Sequence, residues 1–135
     1  MSDADSVLFA NEAFYRAFAD RDIGRMDAAW SRTAPVTCLH PGWGPIHGRD
    51  QVMASWSAIL SAPGAPAIRP LAPRATMMGD VALVICFEAL GNTYAIATNV
   101  FVREGSLWKM VHHQAGPTRE RPPAAAERRT AGPVH

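Results

Sequence analysis

Two long runs, Val81 to Leu90 and Thr93 to Arg103, flank the dipeptide Gly91-Asn92, and Glu88 is the only charge between Asp80 and Arg103. Long apolar-rich runs joined by a two-residue Gly-containing turn read as a β-hairpin, which commits this chain to a sheet. If Leu90 pairs with Thr93, then Glu88 opposes Ala95, Cys86 opposes Ala97 and Val84 opposes Asn99. Side chains alternate across a strand, so those residues share one face, which is small and partly polar. Val81, Leu83, Ile85, Phe87, Tyr94, Ile96, Thr98, Val100 and Val102 form the opposite, bulky face. Bulk and apolarity place this second face under the helices, with Thr98 as its one polar interior group. Glu88, close to the turn, reads as a solvated strand end; buried without a partner, its pKa would rise and make it an acid–base candidate.

The hairpin belongs to a meander. Ala67 to Met77, interrupted by Pro70 and Pro73, suits an edge strand, and Leu107 to Ala115 follows a second turn at Arg103 to Ser106. In the last strand, Trp108, Met110, His112 and Gln114 alternate with Lys109, Val111, His113 and Ala115. A one-residue slip exchanges the two histidines between faces, so one of them points inward in either register. Ahead of the strands, Val7 to Asp20 carries Ala10, Phe14 and Phe18 at helical spacing. Asp22 can cap a short second helix through Trp30, and Gln51 to Leu60 puts Val52, Met53, Trp56, Ile59 and Leu60 on one helical face. Helices followed by antiparallel strands define an α+β class, with helices covering one face of a curved sheet.

Length and composition exclude several functions. The 135 residues, 48% hydrophobic and 19% charged, suit one globular domain. Net charge is +1, with +2 on Arg119 to His135 and −1 on the body, and Lys109 is the sole lysine; nucleic-acid binding is not expected. Residues 1–117 form the domain, and 118–135, rich in Pro, Ala and Arg, read as a disordered tail. No segment reads as a signal peptide or membrane span, and Cys38 and Cys86 sit in apolar runs as reduced core thiols. A soluble, cytoplasmic protein without a cofactor or metal is the expectation. A metal held by His40 with His112 or His113 lacks a supporting carboxylate or cysteine at a helpful spacing.

Chemistry concentrates in Cys38 to Asp50. The strand Pro35 to His40 runs into His40-Pro41-Gly42-Trp43, where Pro and Gly forbid regular structure, and a helix opens at Gly48 to Asp50. A titratable group held by a rigid turn at a strand end and faced by an indole can serve as an acid–base residue; a surface histidine in a turn is the plainer alternative. Trp30, Trp43, Trp56 and Trp108 could wall an apolar pocket, although core packing explains most of them.

FYRAFADRDIGRMDAAW, VTCLHPGWGPIHGRDQVMASWSAIL and ATNVFVREGSLWKMVHHQAGP together resemble the nuclear transport factor 2-like superfamily, in particular its SnoaL-like branch. The WKMVHHQAGP ending is also similar to the association domain of calmodulin-dependent kinase II, an assembly module of that fold. The resemblance implies a cone, a curved antiparallel sheet wrapped around a helix, with a pocket inside and dimers built through the outer sheet face. Ketosteroid isomerase-like members place a carboxylate base where this chain has His40, before Pro41. Their helix tyrosine falls at Phe14, with Tyr15 beside it, and their second acid falls at about Thr98, with Asn99 beside it. Steroid isomerisation is therefore not expected. The same comparison turns Val111 and His113 inward.

Two functional readings result. In the first, cofactor-free acid–base chemistry of isomerase, cyclase or dehydratase type acts on a small apolar carbonyl compound. His40 is the base, His113 its partner, Thr98 and Asn99 are donors, and Phe14, Trp43 and Trp56 contact the substrate. In the second, the chain is a non-catalytic ligand-binding or dimerisation module.

Overall fold

A computed structural model describes residues 1–124; residues 125–135 of the expected tail lie outside the described residues. Helix α1 spans Asp3–Ala19 and opens on a capping box, in which the Ser2 hydroxyl accepts from the Asp5 amide at 3.1 Å and Asp5 accepts from the Ser2 amide. Its buried stripe is Val7, Asn11, Phe14, Tyr15 and Phe18, the spacing that brings one helical face onto a core. Helix α2 spans Ile23–Ala29, with the Asp22 carboxylate accepting from the Arg25 amide at 3.0 Å. Strand β1 is Thr37–Leu39 and β2 is Ile46–His47. Helix α3, Arg49–Ser61, starts at Gly48, whose φ of 87° suits glycine alone among common residues. Arg49 ties that end down by donating to the Trp30, Ser31 and Asp27 carbonyls and to the Asp27 carboxylate, at 2.7–3.0 Å.

Strands β3 (Arg69–Met78), β4 (Val81–Leu90), β5 (Thr93–Glu104) and β6 (Leu107–Thr118) complete one six-stranded sheet of order β2-β1-β6-β5-β4-β3. The α+β class and the curved, helix-packed sheet agree with the sequence reading. The sheet is mixed rather than wholly antiparallel, because β1 returns beside β6 in parallel, pairing Cys38 with His113. The hairpin register is as expected, with Leu90 opposite Thr93 and Val84 opposite Asn99, and β3 is an edge strand.

The two hairpin faces are reversed from the expectation. Ala82, Val84, Cys86, Glu88, Ala95, Ala97, Asn99 and Phe101 are buried, whereas Leu83, Phe87, Ile96 and Val100 are only partly covered and Ile85 is 44% exposed. The reason is volume. Phe14, Tyr15, Trp30 and Trp56, all at most 1% exposed, come from outside the hairpin and fill the concave side. Interiors are close-packed, so the facing strand residues must be small. Thr98 lies on the outer face, opposite Gln114, and does not share the interior.

A β-bulge resolves the ambiguity of the last strand. Val100 pairs with His112 and Phe101 with Met110, so Val111 is an extra residue. Trp108 and Met110 therefore point inward before the bulge, and His113 and Ala115 after it. Each of the two alternating sets supplies half of the buried face. Val111 is partly buried against the core.

Candidate functional site

Strand β1 delivers His40 to the interior end of the sheet, where it is 6% exposed. The turn behind it closes through the Trp43 amide donating to the His40 carbonyl at 2.9 Å. Two indoles meet the imidazole edge-on: Trp56 of α3, fully buried, with ring centroids 4.7 Å apart, and Trp43, 48% exposed, at 4.9 Å. Trp43 thus forms the outermost ring over His40. The Ser55 hydroxyl donates to the Val52 carbonyl at 2.7 Å and lies 2.9 Å from His40 Nε2. A carbonyl can only accept, so the hydroxyl proton is spent there and Nε2–H must donate to Ser55. His40 is therefore the Nε2–H tautomer, with the lone pair on Nδ1. Burial pushes its pKa down to about 4, so the ring is neutral at physiological pH.

Phe14 bridges from this group to the next, 5.4 Å from Trp56 and 5.0 Å from His113 between ring centroids; the two imidazoles are 6.5 Å apart. Around His113 runs a hydrogen-bonded chain. Asn99 donates through Nδ2 to Asn11 Oδ1 at 2.8 Å and to the Tyr15 hydroxyl at 3.1 Å, and its Oδ1 sits 2.6 Å from His113 Nδ1. His113 must then donate through Nδ1–H, which leaves its lone pair on Nε2. Tyr15 in turn donates to Glu88 Oε2 at 2.6 Å. His113 Nε2 is 3.9 Å from that same oxygen.

Charge decides what this contact is. Complete burial, with His40 and His112 nearby, pushes His113 down to about 3. Burial raises Glu88 towards its protonated form, against the smaller opposing effect of the Tyr15 hydrogen bond. The Tyr15 hydroxyl is driven well above its ordinary value, mainly by burial. A neutral imidazole beside a carboxyl group biased towards its acid form is not an ion pair. Burial disfavours charge on both groups, and at 3.9 Å the two atoms stand beyond hydrogen-bond distance.

Of the expected site residues, the structure brings together His40, His113, Phe14, Trp56 and Asn99, with Trp43 at the surface above them. Thr98 is excluded by the face reversal. Sequence reasoning missed Tyr15, Ser55 and the interior position of Glu88. Tyr15 was legible had the α1 stripe been read from Asn11, at i, i+3, i+4 and i+7 to Asn11, Phe14, Tyr15 and Phe18. Ser55 falls one turn beyond Val52 on the buried face of α3 and carries no local signature. Cys38 and Cys86 are buried free thiols, with burial pushing them up to about 12 and about 11. Among the described residues, no group of three or more His, Cys, Asp or Glu side chains could hold a metal ion, and no helix is long and apolar enough to cross a membrane.

A curved, open mixed sheet wrapped around N-terminal helices is the cone of nuclear transport factor 2-like proteins. The chain belongs to the SnoaL-like domain family, whose model matches residues 7–119. A candidate dehydratase of the nuclear transport factor 2-like family from Streptomyces avermitilis is 30% identical at a TM-score of 0.78, over 87% of this chain and 97% of that one. A candidate calcium/calmodulin-dependent protein kinase type II association domain from Thiobacillus denitrificans is 33% identical at a TM-score of 0.67, over 82% and 93%. The hub of that kinase from S. rosetta, 22% identical with a TM-score of 0.71 over 87% and 98%, shares the fold. No curated protein matches the chain.

Proposed function

We propose that the cone interior is a cofactor-free acid–base site that eliminates water from a small, largely apolar β-hydroxy carbonyl compound. The observation that carries this reading is the gathering of three titratable groups in one buried interior, with His113 Nε2 3.9 Å from Glu88 Oε2 and its ring centroid 6.5 Å from that of His40. Burial there lowers the pKa of both rings and raises that of the carboxyl group. His40 Nδ1 removes the proton α to the carbonyl, and the C–H electron pair forms the new C=C bond as the C–O bond breaks. The departing hydroxyl takes its proton directly from Glu88, which becomes a carboxylate, and leaves as water, while His113 stays neutral beside that carboxyl group. A weak base of pKa about 4 suits this reaction better than enolate formation. The base gains charge only as the acid loses its proton, so an imidazolium and a carboxylate arise together and stabilise each other. The likeness to the candidate dehydratase at 30% identity supports the same chemistry. The substrate enters by displacing the half-exposed Trp43, while Phe14 and Trp56 contact its apolar part. A cytoplasmic setting, with Cys38 and Cys86 reduced, belongs to the proposal.

The test is a panel of small β-hydroxy carbonyl compounds, followed by the ultraviolet absorbance of the conjugated product. His40→Ala and Glu88→Gln are each expected to lower kcat by about 10²–10⁴-fold, the range for a general acid or base. Full turnover by His40→Ala on a substrate so found sinks the assignment.

A second reading has its own observation. The outer face of β4 and β5 leaves Ile85 44% exposed amid half-covered Leu83, Phe87, Ile96 and Val100, and one relative at 33% identity is a candidate association domain. In this reading the chain is an assembly module that dimerises through that face. Light scattering of the wild type and Ile85→Lys tests it: a dimer that the variant dissociates supports the reading, and a monomeric wild type removes it.

A further inference from the structure

A second concavity lies outside the cone. It measures about 550 Å³ and runs between α1, α2 and the β5–β6 turn, a volume within the range of about 300–1,000 Å³ common to small-molecule sites. Phe9, 68% exposed, and Leu107, 58% exposed, both line it, although large apolar side chains standing in water gain nothing for the fold. The short side chains of Ala10 and Ala13 leave space beside them, and the buried Trp108 ring adds to the apolar wall.

Charge in this groove is one-sided. Arg16, Arg25 and Lys109 line it, and no carboxylate does among the described residues. The guanidinium groups have partners at the rim: Glu12 for Arg16 at 3.6 Å, and Asp20 and Asp22 for Arg25 at 3.6 and 3.4 Å. These pairs are solvent-exposed, with each side chain at least 40% accessible. Such pairs are worth roughly 0–1 kcal/mol, so a better-placed anion can recruit the arginines. Lys109 donates to the Ala28 carbonyl at 2.7 Å, which engages one of its three donors.

We infer that this groove binds a single-chain amphipathic carboxylate, with its hydrocarbon on Phe9, Ala13 and Leu107 and its headgroup among Arg16, Arg25 and Lys109. Charge selects this occupant over the chain's own end, because Arg119 to His135 carries +2 and would meet like charge. None of His40, His113 and Glu88 lines the groove, so the inference stands apart from the chemistry proposed for the cone.

Calorimetric titration of the full chain with decanoate, decanol and decyltrimethylammonium tests it. Decanoate is expected to bind at one equivalent, at least about tenfold tighter than either of the others, as charge-assisted hydrogen bonds require. Ala13→Trp, which fills the groove from an exposed helix position, should abolish that binding, and the pair Arg16→Gln with Lys109→Gln should erase the preference for the anion. Equal binding of decanol and decanoate, or decanoate binding untouched by Ala13→Trp, overturns the inference. So does a dimer that Ala13→Trp dissociates, which would make a second copy the occupant. Co-sedimentation with phosphatidylglycerol vesicles without binding of dissolved decanoate would assign the groove to a membrane surface instead.

Discussion

The two faces of the β4–β5 hairpin invert the usual expectation that bulk and apolarity point to the core. The inner face is made of Ala82, Val84, Cys86, Ala95 and Ala97 with Glu88 and Asn99 among them, and it is buried; the outer face carries the large aliphatic side chains and is partly open. Hydrophobicity alone cannot decide which side of a sheet is covered when the covering layer is itself large. Here α1 and α3 bring Phe14, Tyr15 and Trp56, so small strand residues are required, and the polar ones survive because they hydrogen-bond to one another.

The contrast can be broken most severely at Asn99, where one side chain serves three partners. Asn99→Leu leaves His113 Nδ1–H and Asn11 Oδ1 without partners in a dry interior, at about 1–3 kcal/mol each. A loss of about 3 kcal/mol or more in chemical denaturation is expected. Volume comes next. Ala97→Leu on the inner face should cost about 1–3 kcal/mol by overpacking, whereas Thr98→Val, its neighbour on the outer face, should stay within about 0.5 kcal/mol.

The histidines give a pH signature. Both have folded pKa values below the unfolded one, about 6.5, so their contribution is complete above that pH. As pH falls, the unfolded chain takes up protons that the native state refuses. Stability is therefore lost between about 6.5 and the folded values, by about 1.4 kcal/mol per pH unit for each ring. Glu88, raised, has the opposite sign: the unfolded carboxyl ionises first, so its contribution falls as pH rises above the unfolded value. Glu88→Gln should accordingly steepen the acid-side loss, measured as denaturation midpoints between pH 4 and 7. The smallest effect belongs to the outer face, where Ile85→Ser should change the stability of the protomer by less than about 0.5 kcal/mol.

Local signals carried most of the fold. The Gly91-Asn92 turn set the hairpin register, and Gly91 occupies a φ of 58° at the first central position, where hairpins favour glycine. The parallel return of β1 beside β6 and the bulge at Val111 were not legible, because both depend on contacts distant in sequence. The same limit governs the site. His40 announced itself through the Pro-Gly turn after it, but the inward placement of Glu88 depends on which face α1 covers. That choice is made by the summed volume of side chains on other elements. A strand's own pattern contains only half of the information.

Nitrogen-15 NMR of histidine side chains across pH 4–8 tests the buried acid–base face most directly. At pH 5–6, His40 should remain neutral as the Nε2–H tautomer and His113 neutral as the Nδ1–H tautomer, with neither ring titrating near the free value. Protonation of either ring at about pH 6.5, or His113 carrying its proton on Nε2, would contradict the dry, hydrogen-bonded interior on which the proposed chemistry rests.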